Sequence, residues 1–428
     1  MATKTYIIAL EEHYFDPEVK RHTVGQEPTN APRIVQRLDD VGELRLREMD
    51  EAGIDMQVLS HANPGLQKLD AETAVRLAHG ANDRLHEAVR AHPDRFAAFA
   101  AIPTPNPKAA ADELERTVTK LGFKGALVNG LTNGLFLDDK RFWPIFERAQ
   151  ALDVPLYMHP ALPHPAVVEA YYKDYVEQYP SLLRAAWGFT VETATQGLRL
   201  VLSGVFDAYP RLKIILGHMG EGLPFYLWRI SMGLARDGRG GRSFRDVFCE
   251  HFYITTSGFF SDPALLCCVM EMGIDRILFS VDYPFVDNPP GTKWTETLPL
   301  CAEDKEKLLN GNAKRLLKIE RPGCRLGLNL GLVQRLAPAE ATRHHRSLKL
   351  RPLGRRMGGE IASDRNQDVA SFVALAPFAV LPHAGFEHLI GVEVGVLAQD
   401  RVRQRRDQPI GRMIERQIAG HEAAGITH

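Results

Sequence analysis

Along residues 1–320, short apolar runs rich in β-branched side chains alternate with longer stretches whose apolar positions recur every three or four residues. The short runs predict strands at residues 6–10, 56–60, 96–102, 125–129, 155–158, 213–217, 252–256 and 277–281. The longer stretches predict helices at 43–52, 71–91, 107–121, 139–152, 191–208, 222–234, 263–272 and 302–309. The stretch 71–91 shows the reasoning: Ala74, Leu77, Ala78, Ala81, Leu85 and Ala88 share one stripe, with Glu72, Arg76, Asp83, Glu87 and Arg90 opposite. Eight strands without a polar face, each followed by a helical stretch, predict a parallel (β/α)8 TIM barrel. An open doubly wound sheet is the competing arrangement. Against it, no G-x-G-x-x-G follows the first strand, and the glycine-rich segment 237–243 reads as a flexible connection.

Composition adds bounds. The chain has 428 residues, 45% apolar and 25% charged, an ordinary globular balance. Its 52 basic and 53 acidic residues leave a net charge of -1, so no global field draws nucleic acid or anionic lipid. The charge is uneven, however. Residues 321–428 hold 16 basic and 10 acidic side chains, a formal +6, with one Lys to 15 Arg and no Tyr or Trp. That leaves residues 1–320 at -7 and places a boundary near residue 320. The catalytic barrel is expected in residues 1–320, and residues 321–428 are expected to form an unrelated, poorly ordered Arg-rich extension. The composition of that extension resembles a GC-rich region translated outside its usual frame, as a frameshift or gene-model error would produce. Its Arg clusters come with no zinc-finger, helix-turn-helix or RNA-binding pattern, so no nucleic-acid partner is expected. Five cysteines without a C-x-x-C pair argue against a disulfide framework. No uncharged apolar run reaches the roughly 20 residues of a membrane span. A cytoplasmic protein that does not engage membranes is the expectation.

The chemistry gathers just past the predicted strand ends. The first strand runs into Glu11-Glu12-His13, the fifth into His159, the sixth into His218 with Glu221 three residues on, and the eighth into Asp282. In a parallel barrel all strand C-termini open on one rim, where such folds place their active sites. Imidazoles and carboxylates meeting there make a donor set for a divalent cation such as Zn²⁺ or Mn²⁺. Each residue also has a bland reading: a lone His as a structural hydrogen-bonder, Asp282 as a helix cap, Glu11-Glu12 as solvated loop charge. Recurrence at one geometric place favours the metal site. His79, His86 and His92 read as surface residues, His61 and His164 as neighbours of the rim, His251 as lying on the wrong barrel end, and the methionines at 270 and 272 as core.

Several motifs resemble those of the amidohydrolase-related, metal-dependent decarboxylases of hydroxylated aromatic acids, which include the γ-resorcylate, 2,3-dihydroxybenzoate and 5-carboxyvanillate decarboxylases. They are ALEEHY at 9–14, YMHP at 157–160, SGVFDAYPRLKIILGHMGEGLPF at 203–225, ITTSG at 254–258, FSVDYPF at 279–285 and NAKRLL at 312–317. The resemblance implies that Glu11, His13, His159 and Asp282 hold one divalent metal ion, zinc before manganese or magnesium. It implies His218, paired with Glu221, as the acid/base partner, and Asp282 as the acid that protonates the ring, helped by crowding against Glu11. Arg229, Trp187 and Phe285 are the implied substrate contacts, Tyr283 stands where the family often has Trp, and a homodimer or homotetramer is the implied assembly. The implied reaction is non-oxidative decarboxylation of a dihydroxybenzoate-type acid. Hydrolysis of a cyclic ester, amide or ring-cleavage product on the same scaffold is the alternative, disfavoured because related hydrolases carry H-x-H where this chain has E-x-H.

Overall fold

The computed structural model describes residues 5–25, 29–237 and 241–320. The expectations for residues 321–428, and for the centre of the connection at 238–240, lie outside the described residues. Nine strands form among the described residues: β1 (Ile8–Tyr14), β2 (Met56–His61), β3 (Phe96–Ala98), β4 (Ala100–Ala101), β5 (Ala126–Asn129), β6 (Leu156–His159), β7 (Ile214–Leu216), β8 (Phe252–Thr255) and β9 (Ile277–Leu278). All pair in parallel, in the orders β1-β2-β3 and β4-β5-β6-β7-β8-β9. β3 and β4 are halves of one stave: Phe99, between them, donates to Leu59 O at 2.9 Å, and Ala100 donates to Gly125 O at 2.9 Å. The ring closes where Leu10 bridges Ser280 and its N–H donates to Phe279 O at 3.1 Å. The result is the eight-stave barrel that the apolar pattern predicts.

Alternation along the strands sorts side chains into two layers. Ile8, Leu10, Val58, Phe99, Leu127 and Ile215 belong to one cluster filling the barrel interior. Ile7, Ala9, Leu59, Val128, Met158 and Leu216 belong to the larger cluster under the helices. The helix Ala71–Ala91 buries Ala74, Leu77, Ala78, Ala81 and Leu85 of its predicted stripe, and its N-cap Asp70 accepts the Thr73 N–H at 2.9 Å.

Three sequence expectations change. The predicted helix 191–208 is two, Gly188–Leu202 and Val205–Ala208, divided where Gly204 takes φ 82°. Met270 is 84% exposed rather than core, because the helix Asp262–Met272 is apolar on nearly every face and buries only part of its girth. The third concerns β1, which runs on to Tyr14, so Glu11 and His13 lie within the strand rather than past its end.

The β1 register explains why those two residues still face the site. Ala9 pairs with Gln57 and Glu12 with Leu59, so Leu10 and Glu11 together oppose the single residue Val58. This is a β-bulge, and Glu11 takes a left-handed φ of 60° within it. Strict alternation from the inward Ile8 and Leu10 would send Glu12 inward and both Glu11 and His13 outward. The extra residue reverses the phase, turning Glu11 and His13 toward the barrel axis.

Candidate metal centre

Glu11 and His13 of β1, His159 at the end of β6, and Asp282 four residues past β9 each present a ligand atom, all within 4.8 Å of one another. His13 Nε2 lies 3.2 Å from Asp282 Oδ1, and His159 Nε2 lies 3.3 Å from Glu11 Oε1. Glu11 Oε1, His13 Nε2 and Asp282 Oδ1 are buried, yet none has a hydrogen-bond partner among the described residues. Buried polar atoms left unpaired are costly, and convergence of three on one point is what a shared cation requires. Two imidazoles and two carboxylates fit a divalent ion.

The remaining atoms of these side chains are fixed from behind. Glu11 Oε2 accepts hydrogen bonds from the Tyr157 and Ser257 hydroxyls and, at 3.4 Å, from Thr255. Ser60 Oγ lies 3.2 Å from His13 Nδ1. Gly217, just past β7, leaves room for the Glu11 carboxylate: a Cβ there would sit 2.7 Å from Glu11 Oε2 and push it from its place. Backbone strain collects at the same place. Of nine described non-glycine residues with positive φ, six are Glu11, His218, Met219, Glu221, Ser257 and Asp282. Each left-handed residue costs on the order of 1–3 kcal/mol and persists only where its surroundings over-determine it.

His218 stands beside this cup. Its Nε2 is 3.7 Å from Glu11 Oε1 and 3.8 Å from Asp282 Oδ2, and its Nδ1 is 2.8 Å from Glu221 Oε1. Burial works against the imidazolium, but the charges of Glu221 and Glu11 outweigh it and lift the His218 pKa well above the ordinary value. Burial drives His159 well below the usual imidazole range, leaving a neutral ring with a free lone pair. Burial also tends to raise Asp282, yet the His13 and His218 imidazoles beside it prevail and hold it at about 2. The upward shift of the carboxylate pair falls on Glu11, through burial. At Asp282 the two flanking imidazoles outweigh crowding against Glu11.

The other predicted residues are placed as follows. Phe285 packs edge-on to the His13 ring, centroids 5.7 Å apart. Trp187 is 50% exposed and Arg229 is exposed, and no described contact joins either to the cup. Glu12 is fully buried, not solvated loop charge. His61 is the last residue of β2, accepting the Asp16 N–H at 3.2 Å on Nε2. His251 is a structural residue whose ring stacks on Phe206. His86 is half-buried beside Phe123 rather than fully on the surface. Sequence reasoning missed Tyr157, Ser257, Thr255 and Ser60 as supports; ITTSG, whose Thr255 and Ser257 supply hydroxyls that hold Glu11, was the available signal.

A parallel eight-stave barrel with two histidines and two carboxylates gathered at one rim defines a metal-dependent barrel enzyme. The chain belongs to the amidohydrolase family, which its residues 13–319 match. It is 42% identical over 327 residues to the γ-resorcylate decarboxylase of Polaromonas sp. strain JS666, covering 73% of this chain and 99% of that protein. A crystal structure of a Polaromonas dihydroxybenzoic acid decarboxylase with bound manganese and the inhibitor 2-nitroresorcinol has TM-score 0.68 and 42% identity, covering 74% of this chain and 97% of that one. A 2,6-dihydroxybenzoate decarboxylase complexed with 2,6-dihydroxybenzoate has TM-score 0.69 and 40% identity, covering 74% and 100%.

Proposed function

We propose that this protein is a carboxy-lyase that removes CO₂, without redox chemistry, from a dihydroxybenzoate-type acid. The observation that carries the reading is the cup of Glu11, His13, His159 and Asp282, with its three unpaired inward atoms and the His218–Glu221 pair alongside. Loss of CO₂ from an intact aromatic ring would leave an aryl anion of prohibitive energy. Protonating the ring carbon first avoids it. A divalent cation bound here supplies a chelation point for carboxylate and ortho hydroxyl, orienting the ring and acidifying the hydroxyl. His218 holds its proton 3.8 Å from the Asp282 carboxylate; passed to Asp282, that proton goes on to the ring carbon, and as CO₂ departs the electron pair of the broken bond restores the aromatic ring. Glu221 orients the imidazole and stabilises its charge. Phe285 supplies an apolar face next to His13 for ring contact. Substrate contact by Arg229 and Trp187 is proposed on the resemblance alone.

The donor set accepts Zn²⁺ and Mn²⁺ alike; the manganese in the Polaromonas structure supports Mn²⁺ ahead of the zinc expected from sequence. The hydrolase alternative draws no support from the three relatives named above, which are decarboxylases by name. A self-associated enzyme is part of the proposal, supported by Phe225, Tyr226 and Trp228, all exposed on the helix Leu223–Ala235. No described helix is long and apolar enough to cross a membrane, and a cytoplasmic site of action is proposed from sequence. Residues 321–428 are given no part in the chemistry. The test is anaerobic CO₂ release, without nicotinamide, from a panel of dihydroxybenzoates; turnover of lactones or amides alone overturns the proposal.

A further inference from the structure

Between the two ligands of β1 sits Glu12, fully buried, whose carboxylate touches nothing in the cup. Its Oε1 accepts the Val281 N–H at 2.9 Å and its Oε2 the Tyr283 N–H at 3.2 Å, the two amides that flank Asp282. The His13 N–H completes the clasp by donating to Tyr283 O at 2.6 Å. Asp282, with φ 69°, is therefore gripped on both sides by the residue that follows Glu11 and precedes His13. A buried arginine backs this side chain. Arg45, 0% exposed, donates to His13 O at 2.5 Å and to Gln57 Oε1 at 3.1 Å. Gln57 Nε2 in turn reaches Glu12 Oε2 at 3.4 Å, and the Arg45 guanidinium lies 4.7 Å from the Tyr283 ring centroid.

We propose that Glu12 is a positioning residue: its carboxylate, joined to buried Arg45 through Gln57, locks the Asp282 turn onto β1 and so sets the spacing of the whole ligand cup. This rests on the metal-centre reading above. Only a carboxylate can do it, since both flanking groups are N–H donors and each needs an acceptor. In Glu12→Gln the amide offers one acceptor, and its NH₂ faces the other N–H. Asp282 then loses one tether while every ligand atom remains.

The experiment compares wild type, Glu12→Gln and the double variant Glu12→Gln/Arg45→Met, which leaves no buried charge alone if the single variant folds poorly. Each is loaded with Mn²⁺. Affinity is read by calorimetry, the electron paramagnetic resonance spectrum of the bound ion is recorded, and kcat and KM for 2,6-dihydroxybenzoate are measured per bound metal. The expected result is at least a tenfold weaker Mn²⁺ affinity, a changed spectrum, and kcat lowered about 100-fold with KM nearly constant, as a displaced transition-state group produces. A purely structural role would lower the melting temperature but leave spectrum and kcat per metal at wild-type values. That outcome in either variant overturns the proposal. Wild-type protein that binds Mn²⁺ but decarboxylates nothing refutes the decarboxylase reading instead, and the affinity and spectrum still decide the role of Glu12.

Discussion

Glu221→Gln isolates the electrostatic part of the account. Glu221 is 3% exposed and accepts from His218 Nδ1 at 2.8 Å, so the substitution keeps size and contact while deleting a charge. A hydrogen bond to a charged group contributes about 1.5–3 kcal/mol, against about 0.5–1.5 for a neutral pair, so roughly 1–1.5 kcal/mol of imidazolium stabilisation is lost. At about 1.4 kcal/mol per unit, the His218 pKa falls by about one unit. The sign follows from the wild-type state. His218 lies well above 6.5, so it is protonated at neutral pH and its proton loss appears as the alkaline limb of the kcat/KM profile. In Glu221→Gln that limb moves to lower pH by about one unit, and the His218 ring resonances titrate in step by heteronuclear NMR. Rate profiles of variant and wild type that superimpose refute the assignment of His218 as the proton-holding partner.

Other consequences follow from the same geometry. Asp282→Asn abolishes turnover while metal content by elemental analysis stays near wild type, since an amide oxygen still faces the cup; loss of neither removes Asp282 from its role. Tyr157→Phe deletes a hydroxyl that holds Glu11, costing about 0.5–2 kcal/mol of stability in urea melts and speeding chelator extraction of the metal. His61 is buried against Phe15 with its pKa lowered from 6.5 to about 4, chiefly by desolvation. Its folded pKa is depressed, so its contribution is complete above pH 6.5 and disappears as pH falls toward 4, about 3 kcal/mol in all. Urea titrations of metal-free protein across that window should show the slope, and His61→Gln should flatten it; an unchanged slope assigns the acid sensitivity elsewhere.

The barrel was legible because buried parallel strands are apolar on both faces and therefore appear as short uninterrupted runs between helical periods. The cup was legible because parallel topology forces all strand ends onto one rim, so Glu11, His159, His218 and Asp282 needed only their position relative to those runs. The β1 bulge was not legible, since an inserted residue leaves composition and hydropathy unchanged and shows itself only in the pairing of Leu10 and Glu11 against Val58. Glu12 looked like loop charge for the same reason. Its polar partners are Gln57, 45 positions away, and the amides at 281 and 283. Tyr157 passed as one more apolar strand residue because its ring does pack in the barrel interior; only its hydroxyl reaches Glu11. Gly204 hid a helix break inside a continuous apolar period.

The most direct test of the central claim is metal stoichiometry coupled to product analysis. Protein stripped by chelator and reloaded with Mn²⁺ should bind one ion per chain and convert 2,6-dihydroxybenzoate to resorcinol and CO₂ in equal amounts without oxygen, with no turnover in the stripped form. Undiminished CO₂ release from fully chelated protein, or one bound ion retained after Glu11, His13, His159 and Asp282 are all replaced by Ala, would contradict it.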